Sequence, residues 1–430
     1  MKIGFVIQRY GTEVLGGSEH LCRLVAERLA VQHDVEVLTT CAQDYVTWKN
    51  AYAEGADRIR GVTVRRFANA RTRDIESFNT YSEWIYNHPH SRADEMEWLK
   101  QQGPWCPSLL DYLRRQHQQY DVLIFFTYLY APTVLGLEIA PARSVLVSTA
   151  HDEPAIRLDI FRDVFARPAA LCYLTESERQ FVQETFRDRP LLEEVTGVGI
   201  DLAQQQPYPR MPLPDDDPAP IEEPAPPGLA ADDEPPSREY PEHLLTRGSV
   251  FRRRHRLWGP LALYGGRIDP GKGCEELIEY FNSYVQDGGD ATLALMGVKL
   301  MSLPEEPFIR FAGRLSDRER LQALEAADVV VVPSPFESLS LLALEALSVG
   351  TPILVNARSA VLVEHCVRSN GGLYYADRDE FVACLKLMMA DAPLRLALGR
   401  NGREYIKKNY RWDVVLGKFE RLFAKIRKTN

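Results

Sequence analysis

Short apolar runs rich in β-branched residues alternate along the chain with longer stretches whose apolar residues recur at helical spacing. After the first run, for example, Leu21, Leu24, Val25 and Leu29 fall on one face of a helix. Continuous apolar runs are typical of strands that are buried on both faces of a parallel sheet. The alternation therefore predicts two consecutive α/β domains, each built on a mostly parallel sheet.

The predicted strands form two groups, one on either side of a segment of different composition. The first group comprises residues 3–7, 35–38, 62–66, 122–126, 145–148, 171–174 and 195–200. The second group comprises residues 261–264, 292–296, 309–311, 329–332, 353–355 and 373–375. We expect a ligand in the cleft between the two domains, because small-molecule sites occur preferentially at domain interfaces.

The segment between the two groups is acidic and rich in proline. Residues 207–240 contain nine acidic residues against two arginines, and they hold eleven of the 28 prolines. A segment with so little to bury is expected to be mobile and partly in the polyproline II conformation. The predicted division is a first, acceptor-side domain over residues 1–205, the insertion over 206–246, a second domain over 247–410 and a closing helix over 411–430.

Charge and cysteine content narrow the class of protein. Most of the net charge of −9 lies in the insertion, so the rest of the chain is nearly neutral and gives no reason to expect nucleic-acid binding. The seven cysteines are scattered without a C-x-x-C pair, which favours reduced thiols in the cytoplasm and argues against structural zinc. There is no apolar run of about 18 residues, and the first residues are more typical of a strand than of a signal peptide. We therefore expect a cytoplasmic globular protein.

Two carboxylates eight positions apart are the most informative chemistry in the chain. Glu337 follows the apolar run 329–332, and Glu345 lies inside the helix that comes next. Strand, helix and strand here form a parallel βαβ unit, whose ligands bind at the carboxyl ends of its strands. The N–H groups at the helix start would face a bound anion; they belong to Ser338, Leu339, Ser340 and Leu341.

The two glutamates suit a ligand rich in hydroxyl groups. Glu345 could accept hydrogen bonds from paired hydroxyls such as those of a ribose, and Glu337 could do the same for a second polyol. Together with an anion at the helix start, this predicts a nucleotide sugar. The structural alternative is that both are ordinary helix-forming residues, since glutamate is common in first turns.

A glycine-rich loop with two basic residues follows the first strand of the second domain. Gly266 and Arg267 precede Lys272 and Gly273 in this loop. The guanidinium and the ammonium could clamp a diphosphate, the first by its fork and the second as a point charge. The order of residues is not that of a Walker loop. A solvated turn is the alternative, but such a turn would not need two cations between glycines.

Four further features of the chain carry weaker signals. Gly16 and Gly17 precede the first helix, where they could admit a ligand or simply form a turn capped by Ser18. His151 follows a strand and could point into the cleft, although a lone histidine is more often structural. The basic stretch 252–256 could face an anionic membrane surface or a phosphate-rich acceptor, or it could pair with the acidic insertion. The aromatic stretch 78–105 could line an acceptor groove or pack as a lobe.

In combination these motifs resemble the GT-B glycosyltransferases, specifically the retaining glycosyltransferases of family 4 (glycosyl transferases group 1). The resemblance covers nearly the whole chain apart from the insertion. It implies two Rossmann-like, doubly wound parallel-sheet domains that face each other across a cleft. In the E-x7-E pair, Glu345 would hold the donor ribose and Glu337 the hydroxyls of the donor sugar. The basic residues of the glycine-rich loop, Arg267 and Lys272, would bind the donor diphosphate, with Gly266 beside them.

The resemblance also extends to the first domain and to the reaction. Gly16 and Gly17 match the family's N-terminal glycine loop, and His151 matches its strand-end histidine. The implied reaction is metal-independent, with neither a metal nor another cofactor, and its donor is UDP- or GDP-linked. The acceptor would be a saccharide, a lipid-linked molecule or another hydroxyl compound, and weak peripheral membrane association is compatible with this.

The chain departs from the family pattern at two places. Many members have glycines just after the first glutamate, where this chain has Ser338, Leu339 and Ser340. Many also carry a Gly-Gly-x-x-Glu stretch, where this chain has residues 359–364 ending in Glu364. Both departures concern the donor-sugar pocket, so the sequence leaves the sugar open.

Two other functions remain alternatives at this stage. A nucleotide-sugar epimerase of the same fold would use the same cleft but would need an added acid and base. A non-catalytic protein that binds sugar nucleotides would use the acidic segment to dock partners. Sugar transfer is favoured over both alternatives by one set of residues, Arg267, Lys272, Glu337 and Glu345.

Overall fold

The computed structural model describes residues 1–14, 16–201 and 247–429. The predicted insertion over 206–246 lies outside the described residues, and the division of the chain into domains stays a prediction. The described residues form two sheets, one in each predicted domain, with helices packed on both faces. The predicted class of two parallel-sheet α/β domains is confirmed.

The sheet of the first domain has eight strands in the part of the chain that is described, in the order β3-β4-β2-β1-β5-β6-β7-β8. All neighbours are parallel except β3 and β4, which pair antiparallel at the edge. Apolar residues alternate between the two faces: Ile3 and Phe5 pack on one side, and Val6 packs on the other. The strands are β1 (Lys2–Val6), β2 (Asp34–Thr40), β3 (Gly55–Ile59), β4 (Val62–Phe67), β5 (Val122–Phe126), β6 (Ser144–Val147), β7 (Ala170–Tyr173) and β8 (Leu192–Val195).

Helices cover both faces of this sheet. The helix after β1 lies on one face, and a lobe of helices that follows β4 lies on the other. The helices of the first domain are α1 (Gly17–Leu29), α2 (Ile75–Asn87), α3 (Arg92–Gln102), α4 (Pro107–Gln116), α5 (Ala131–Gly136), α6 (Ile160–Ala166) and α7 (Glu176–Thr185).

The sheet of the second domain is entirely parallel, in the order β11-β10-β9-β12-β13-β14. The central position of β9 and β12 places the loops that follow them next to each other at one edge of the sheet, where α/β folds bind ligands. The strands are β9 (Leu261–Ile268), β10 (Thr292–Lys299), β11 (Ile309–Gly313), β12 (Val329–Val332), β13 (Ile353–Asn356) and β14 (Gly372–Tyr375). The helices are α8 (Arg247–His255), α9 (Cys274–Gln286), α10 (Asp317–Ala326), α11 (Leu341–Val349), α12 (Ala360–Ser369), α13 (Arg378–Ala390), α14 (Ala392–Asn409) and α15 (Trp412–Thr429).

The last helix, α15, packs against the first domain. The ammonium of Lys418 donates a hydrogen bond of 2.8 Å to the carbonyl of Val195. The guanidinium of Arg28 lies 4.8 Å from the ring centroid of Trp412. These contacts join α15 to the first sheet and to α1.

Two strand predictions differ from the structure. The predicted strand 195–200 is wrong: β8 ends at Val195, and Gly197 takes a positive φ of 65°. The N–H of Ile200 then donates to the carbonyl of Tyr410 instead of to a neighbouring strand. Strand β3 was not predicted, because it is an exposed edge strand with a polar sequence and no apolar run to mark it.

Candidate functional site

The loop from β12 to α11 brings the first predicted feature into the cleft. All four residues of β12 are buried, and α11 begins at Leu341, as the sequence pattern predicts. Ser340 precedes the helix with a positive φ of 61°, and its hydroxyl accepts a 3.5 Å hydrogen bond from the N–H of Ala343. A positive φ is a conformation that glycine favours. This serine therefore holds a backbone conformation that glycine adopts more readily.

Glu345 lies in the second turn of α11 and faces a cation from the neighbouring helix α10. Its carboxylate is 2.9 Å from the guanidinium of Arg320, and its side chain is 13% exposed. Burial raises the pKa of Glu345 to about 7, although the charge of Arg320 opposes this shift and that of Asp317 adds to it. The Nε atom of Arg320 is buried and has no hydrogen-bond partner among the described residues. A buried donor without a partner is what a bound acceptor group would satisfy.

Arg320 was not predicted from the sequence. It lies in a helix that carries charges of both signs, and nothing in its spacing separates it from its neighbours. Only the packing of α10 beside α11 shows that it reaches Glu345.

The glycine-rich loop after β9 meets the loop that carries Glu337. The ammonium of Lys272 donates a 2.7 Å hydrogen bond to the carboxylate of Glu337, and both side chains are partly buried. Gly273 has a positive φ of 74°, and a Cβ atom there would lie 2.5 Å from the carbonyl oxygen of Pro333. This close approach lets the two loops come together, which places the predicted cation beside the predicted carboxylate.

The second cation of this loop, Arg267, is more open. Its side chain is 44% exposed, and its Nε atom is 3.4 Å from the carboxylate of Asp269. The carbonyl of Arg267 accepts a 2.6 Å hydrogen bond from the hydroxyl of Tyr264, which fixes the backbone while the guanidinium faces solvent. Gly266 before it has a positive φ of 146°. An exposed guanidinium on a fixed backbone can reach a phosphate without losing a strong partner.

The glycines of the first domain lie at the start of α1. The helix begins at Gly17, so the alternative in which Ser18 caps it is wrong, and Gly16 stands at the N-cap with an extended backbone. A Cβ atom on Gly16 would lie 2.1 Å from the carboxylate of Glu19, which forms a buried ion pair with Arg9. A Cβ atom on Gly17 would meet no atom within 4 Å. Gly16 is thus needed for packing, whereas Gly17 leaves an open space in front of the helix.

His151 joins the two halves of the site. It follows β6, and its ring centroid is 6.5 Å from that of Phe336, the residue before Glu337. Its Nε2 atom is 3.7 Å from the carboxylate of Glu153, and its side chain is 36% exposed. The histidine of the first domain therefore faces the carboxylate loop of the second.

A buried carboxylate that was not predicted holds the loop before His151. Glu178 accepts hydrogen bonds from the hydroxyl of Ser148 at 2.5 Å and from the N–H groups of Ala150 at 2.7 Å and Leu174 at 2.6 Å. Burial raises the pKa of Glu178 to about 7, while these hydrogen bonds work in the other direction. Glutamate is so common in the first turn of a helix that this role could not be predicted from the sequence.

Glu364 connects the two domains instead of facing the site. Its carboxylate accepts from the N–H groups of Glu176 at 3.2 Å and Ser177 at 2.6 Å, at the start of α7. The guanidinium of Arg368 also donates to it at 2.7 Å. Hydrogen bonds from Ser177 and from Arg368 hold the pKa of this carboxyl below its ordinary value, although burial alone would raise it. A negative charge at a helix N-terminus stabilises the contact between the domains.

The basic stretch and the aromatic stretch lie outside the site. Arg252, in the basic stretch 252–256, is bound by the second domain itself, with the carboxylate of Asp328 at 2.9 Å and the carbonyl of Ala326 at 2.8 Å. In the aromatic stretch 78–105, Trp98 is buried and donates to the hydroxyl of Ser82, so part of this stretch does pack as a lobe. Beside the lobe, a groove of about 800 Å³ runs between α2 and the loop 154–158.

Within the described ranges no helix is long and apolar enough to cross a membrane. The same residues contain no group of three or more His, Cys, Asp or Glu side chains arranged to hold a metal ion.

Comparisons with known proteins agree with this architecture. Residues 251–405 match the family model described as glycosyl transferases group 1. Glycogen synthase of Mycobacterium tuberculosis is 29% identical over 177 residues, which cover 38% of this chain and 42% of that enzyme. The chain thus spans about two fifths of the length of this curated relative.

Solved structures resemble the whole chain at low sequence identity. Sucrose-phosphate synthase of Thermosynechococcus elongatus superposes with a TM-score of 0.68 at 15% identity, over 100% of both chains. The Anabaena protein HepE, solved in complex with UDP and glucose, gives 0.65 at 15% identity, over 99% of this chain and 100% of that one. The predicted GT-B fold is confirmed.

Proposed function

We propose that the protein is a retaining glycosyltransferase that moves a sugar from a nucleotide-diphosphate sugar to a hydroxyl acceptor. One observation carries this proposal. Four charged side chains lie around the start of helix α11, opposite His151 of the other domain. They are the paired Lys272 and Glu337, the exposed Arg267 and the buried Glu345. This arrangement suits a ligand with a diphosphate in its middle and hydroxyl groups at both ends.

The diphosphate would lie between the basic loop and the start of α11. The N–H groups near Ser338, Leu339, Ser340 and Leu341 offer an anion site, because helix starts carry unpaired donors and partial positive charge. Arg267 and Lys272 would stabilise the negative charge that develops on the leaving diphosphate, which is usually the largest catalytic contribution of such a site. The reaction we propose is therefore metal-independent and needs no other cofactor.

The two glutamates would bind the two ends of the donor. Glu345 would accept hydrogen bonds from the ribose, and the nearby Arg320 would donate its unpartnered Nε–H to the nucleotide. Glu337 would accept from hydroxyls of the sugar while Lys272 turns toward the phosphate. Before the donor binds, the ammonium and the carboxylate neutralise each other at 2.7 Å, so neither charge is left without a partner.

The first domain would bring the acceptor to the sugar. Gly17 leaves room for the donor in front of α1, and His151 would contact the donor or position the acceptor. We assign no protein nucleophile, because same-face attack by the acceptor hydroxyl would retain the configuration without one. His151 acts in this proposal by hydrogen bonding.

The groove beside the helical lobe is our proposal for the acceptor. It is lined by the aromatic side chains of Phe78 and Tyr86 together with polar groups such as Asn79 and Asn87. Aromatic faces with amide groups around them suit a saccharide, whether free or lipid-linked. The groove ends at residues 154–158, three positions after His151, so an acceptor in it would extend toward the donor.

The experiment that tests this function is an incubation with UDP- and GDP-sugars, with and without simple saccharide acceptors, in buffer containing EDTA. The proposal expects a product with the donor's anomeric configuration and free nucleotide in equal amount. Free nucleotide with an epimerised sugar and no acceptor would support the epimerase. Tight nucleotide binding without turnover on any acceptor would support a non-catalytic role. Activity lost in EDTA and restored by a divalent cation would contradict the metal-independent reaction.

A further inference from the structure

A buried histidine outside the site contacts the loop that carries the donor-binding groups. His365 lies on α12 and is 0% exposed. Its Nε2 atom is 2.7 Å from the carbonyl oxygen of Leu339, in the loop between Glu337 and α11. Its Nδ1 atom is 3.3 Å from the hydroxyl of Tyr405. The imidazole thus connects the donor loop to helix α14.

The chemistry of these groups fixes the direction of the hydrogen bonds. A carbonyl can only accept, so the Nε2–H of His365 donates to Leu339, and the neutral ring then accepts at Nδ1 from the hydroxyl of Tyr405. Burial lowers the pKa of His365, which keeps the ring neutral. The hydroxyl of Tyr405 is 3.2 Å from that of Tyr410. Because the Tyr405 hydroxyl donates to His365, it accepts its second hydrogen bond from the hydroxyl of Tyr410.

The far end of this series of hydrogen bonds, Tyr410, lies where the polypeptide passes between the domains. The carbonyl of Tyr410 accepts a 2.7 Å hydrogen bond from the N–H of Ile200, near the predicted end of the first domain. A Cβ atom on Gly197 would lie 3.1 Å from the ring of Tyr410, so that backbone packs closely on the tyrosine. One buried series of contacts therefore runs from the donor loop to the junction of the domains.

The donor loop needs such support because its backbone conformation is unfavourable. Leu339 is 1% exposed, and Ser340 after it holds a positive φ of 61°. A non-glycine residue in this conformation costs about 1–3 kcal/mol and persists only where the surroundings determine it. The hydrogen bond from His365 acts on the peptide unit that joins Leu339 to Ser340, which is the unit that must keep its orientation.

We propose that His365 is a positioning residue for the donor. Its Nε2–H holds the Leu339 carbonyl and so aims the N–H groups at the start of α11 toward the diphosphate. The proposal rests on the proposed function, since it gives the loop its role. It adds a residue that touches neither donor nor acceptor and yet determines the affinity for nucleotide.

Two substitutions separate the two nitrogen atoms of the ring. In His365→Gln the amide nitrogen can take the place of Nε2 and still donate to Leu339. In His365→Asn the shorter side chain reaches only the position of Nδ1. Both remove the same ring from the same buried place, so a purely structural role predicts similar losses of stability and of nucleotide affinity. Tyr405→Phe, which removes one hydroxyl without changing the packing, is a third and milder variant.

The measurement is the affinity of the full chain for UDP and GDP by titration calorimetry, with melting temperatures recorded alongside. We expect His365→Gln to stay within about threefold of the unsubstituted protein and His365→Asn to bind at least about tenfold more weakly. Tyr405→Phe should fall between them. Amide hydrogen exchange near Leu339 should speed up in the Asn variant and much less in the Gln variant.

Several outcomes would overturn the inference. If both variants at His365 bind nucleotide as well as the unsubstituted protein, or lose affinity equally, the ring does not position the loop. If either variant fails to fold, the Tyr405→Phe result decides, and unchanged affinity together with unchanged exchange in that variant would contradict the proposal. If the unsubstituted protein binds no nucleotide, the proposed function itself is wrong, and the positioning role is wrong with it.

Discussion

Replacing Glu345 by glutamine should make the free protein more stable and at the same time weaken its binding to nucleotide. The carboxyl is 13% exposed, and burial raises its pKa from 4.5 to about 7. The folded protein therefore binds more protons than the unfolded chain between these two values, so its stability falls as the pH rises through this window. Above about pH 7 the full cost of keeping the group ionised applies.

The size of the change in stability follows from the same two pKa values. With a pKa of 4.5 in the unfolded chain and about 7 in the folded protein, the cost is about 3 kcal/mol at pH 8 and about 1 kcal/mol at pH 5. Glutamine carries no charge and escapes this cost at both values. The stability gained by Glu345→Gln should thus be about 2 kcal/mol larger at pH 8 than at pH 5, or roughly 4–8 °C in melting temperature.

The loss of binding has a separate cause. In the proposed site the ionised carboxylate accepts from the ribose hydroxyls, and a hydrogen bond to a charged group contributes about 1.5–3 kcal/mol. The substitution should therefore reduce nucleotide affinity by about 10- to 100-fold at pH 8. A residue that is only structural would not be expected to weaken binding while it raises the melting temperature.

The assay is thermal unfolding of the unsubstituted protein and the variant at pH 5 and pH 8, followed by nucleotide titration at pH 8. Glu279→Gln serves as the matched control, because Glu279 is an exposed glutamate on α9 of the same domain. An equal change of melting temperature at both pH values would refute the assignment of a buried, raised pKa. Unchanged nucleotide affinity would refute the role of Glu345 in the donor site.

Further substitutions at three places in the structure test the basic loop, the start of α1 and the loop before His151. Arg267→Ala should lower the rate of transfer by about tenfold or more, because the guanidinium would stabilise the leaving group. The melting temperature should change little, because an exposed guanidinium contributes little to the stability of the fold. An unchanged rate would remove Arg267 from the mechanism. Gly16→Ala should lower the melting temperature, because its Cβ would lie 2.1 Å from the carboxylate of Glu19. Gly17→Ala meets no atom within 4 Å and should lower only nucleotide affinity. The reverse pattern would contradict the described geometry at the start of α1. Glu178→Ala leaves three buried donors without an acceptor and should lower the melting temperature by about 5 °C or more. The melting temperature of Glu178→Gln should fall less. An unchanged melting temperature in the alanine variant would contradict the role of Glu178 in holding the loop before His151.

The fold class could be predicted because its signal is local. Runs such as 122–126 and 329–332 contain only apolar residues, and the structure has strands at those same bounds. The edge strand β3 could not be found this way, since it is polar and exposed. The run 195–200 misled the prediction because the backbone leaves the sheet at Gly197, which has a positive φ, and Gly197 and Gly199 then pack against Tyr410 and Trp412.

The candidate site could be predicted only in part, for a similar reason. Glu337, Glu345 and Lys272 stand at recognisable spacings within motifs, and the structure brings Lys272 and Glu337 together at 2.7 Å. Arg320 and His365 carry no such spacing. They reach the site through contacts between helices and loops that are far apart in sequence, which only the packed chain reveals.

The most direct test of the account is whether a nucleotide binds where Glu345 and Lys272 meet the start of α11. The measurement is thermal shift of the purified protein against UDP, GDP, ADP, dTDP and their sugars, repeated with Glu345→Ala. A ligand at about 100 times its dissociation constant adds about 2.7 kcal/mol of stability, which is a shift of roughly 5–10 °C. We expect one nucleotide, UDP or GDP, to raise the melting temperature of the unsubstituted protein clearly more than that of the variant. A flat response across the panel, or an equal shift in the variant, would contradict it.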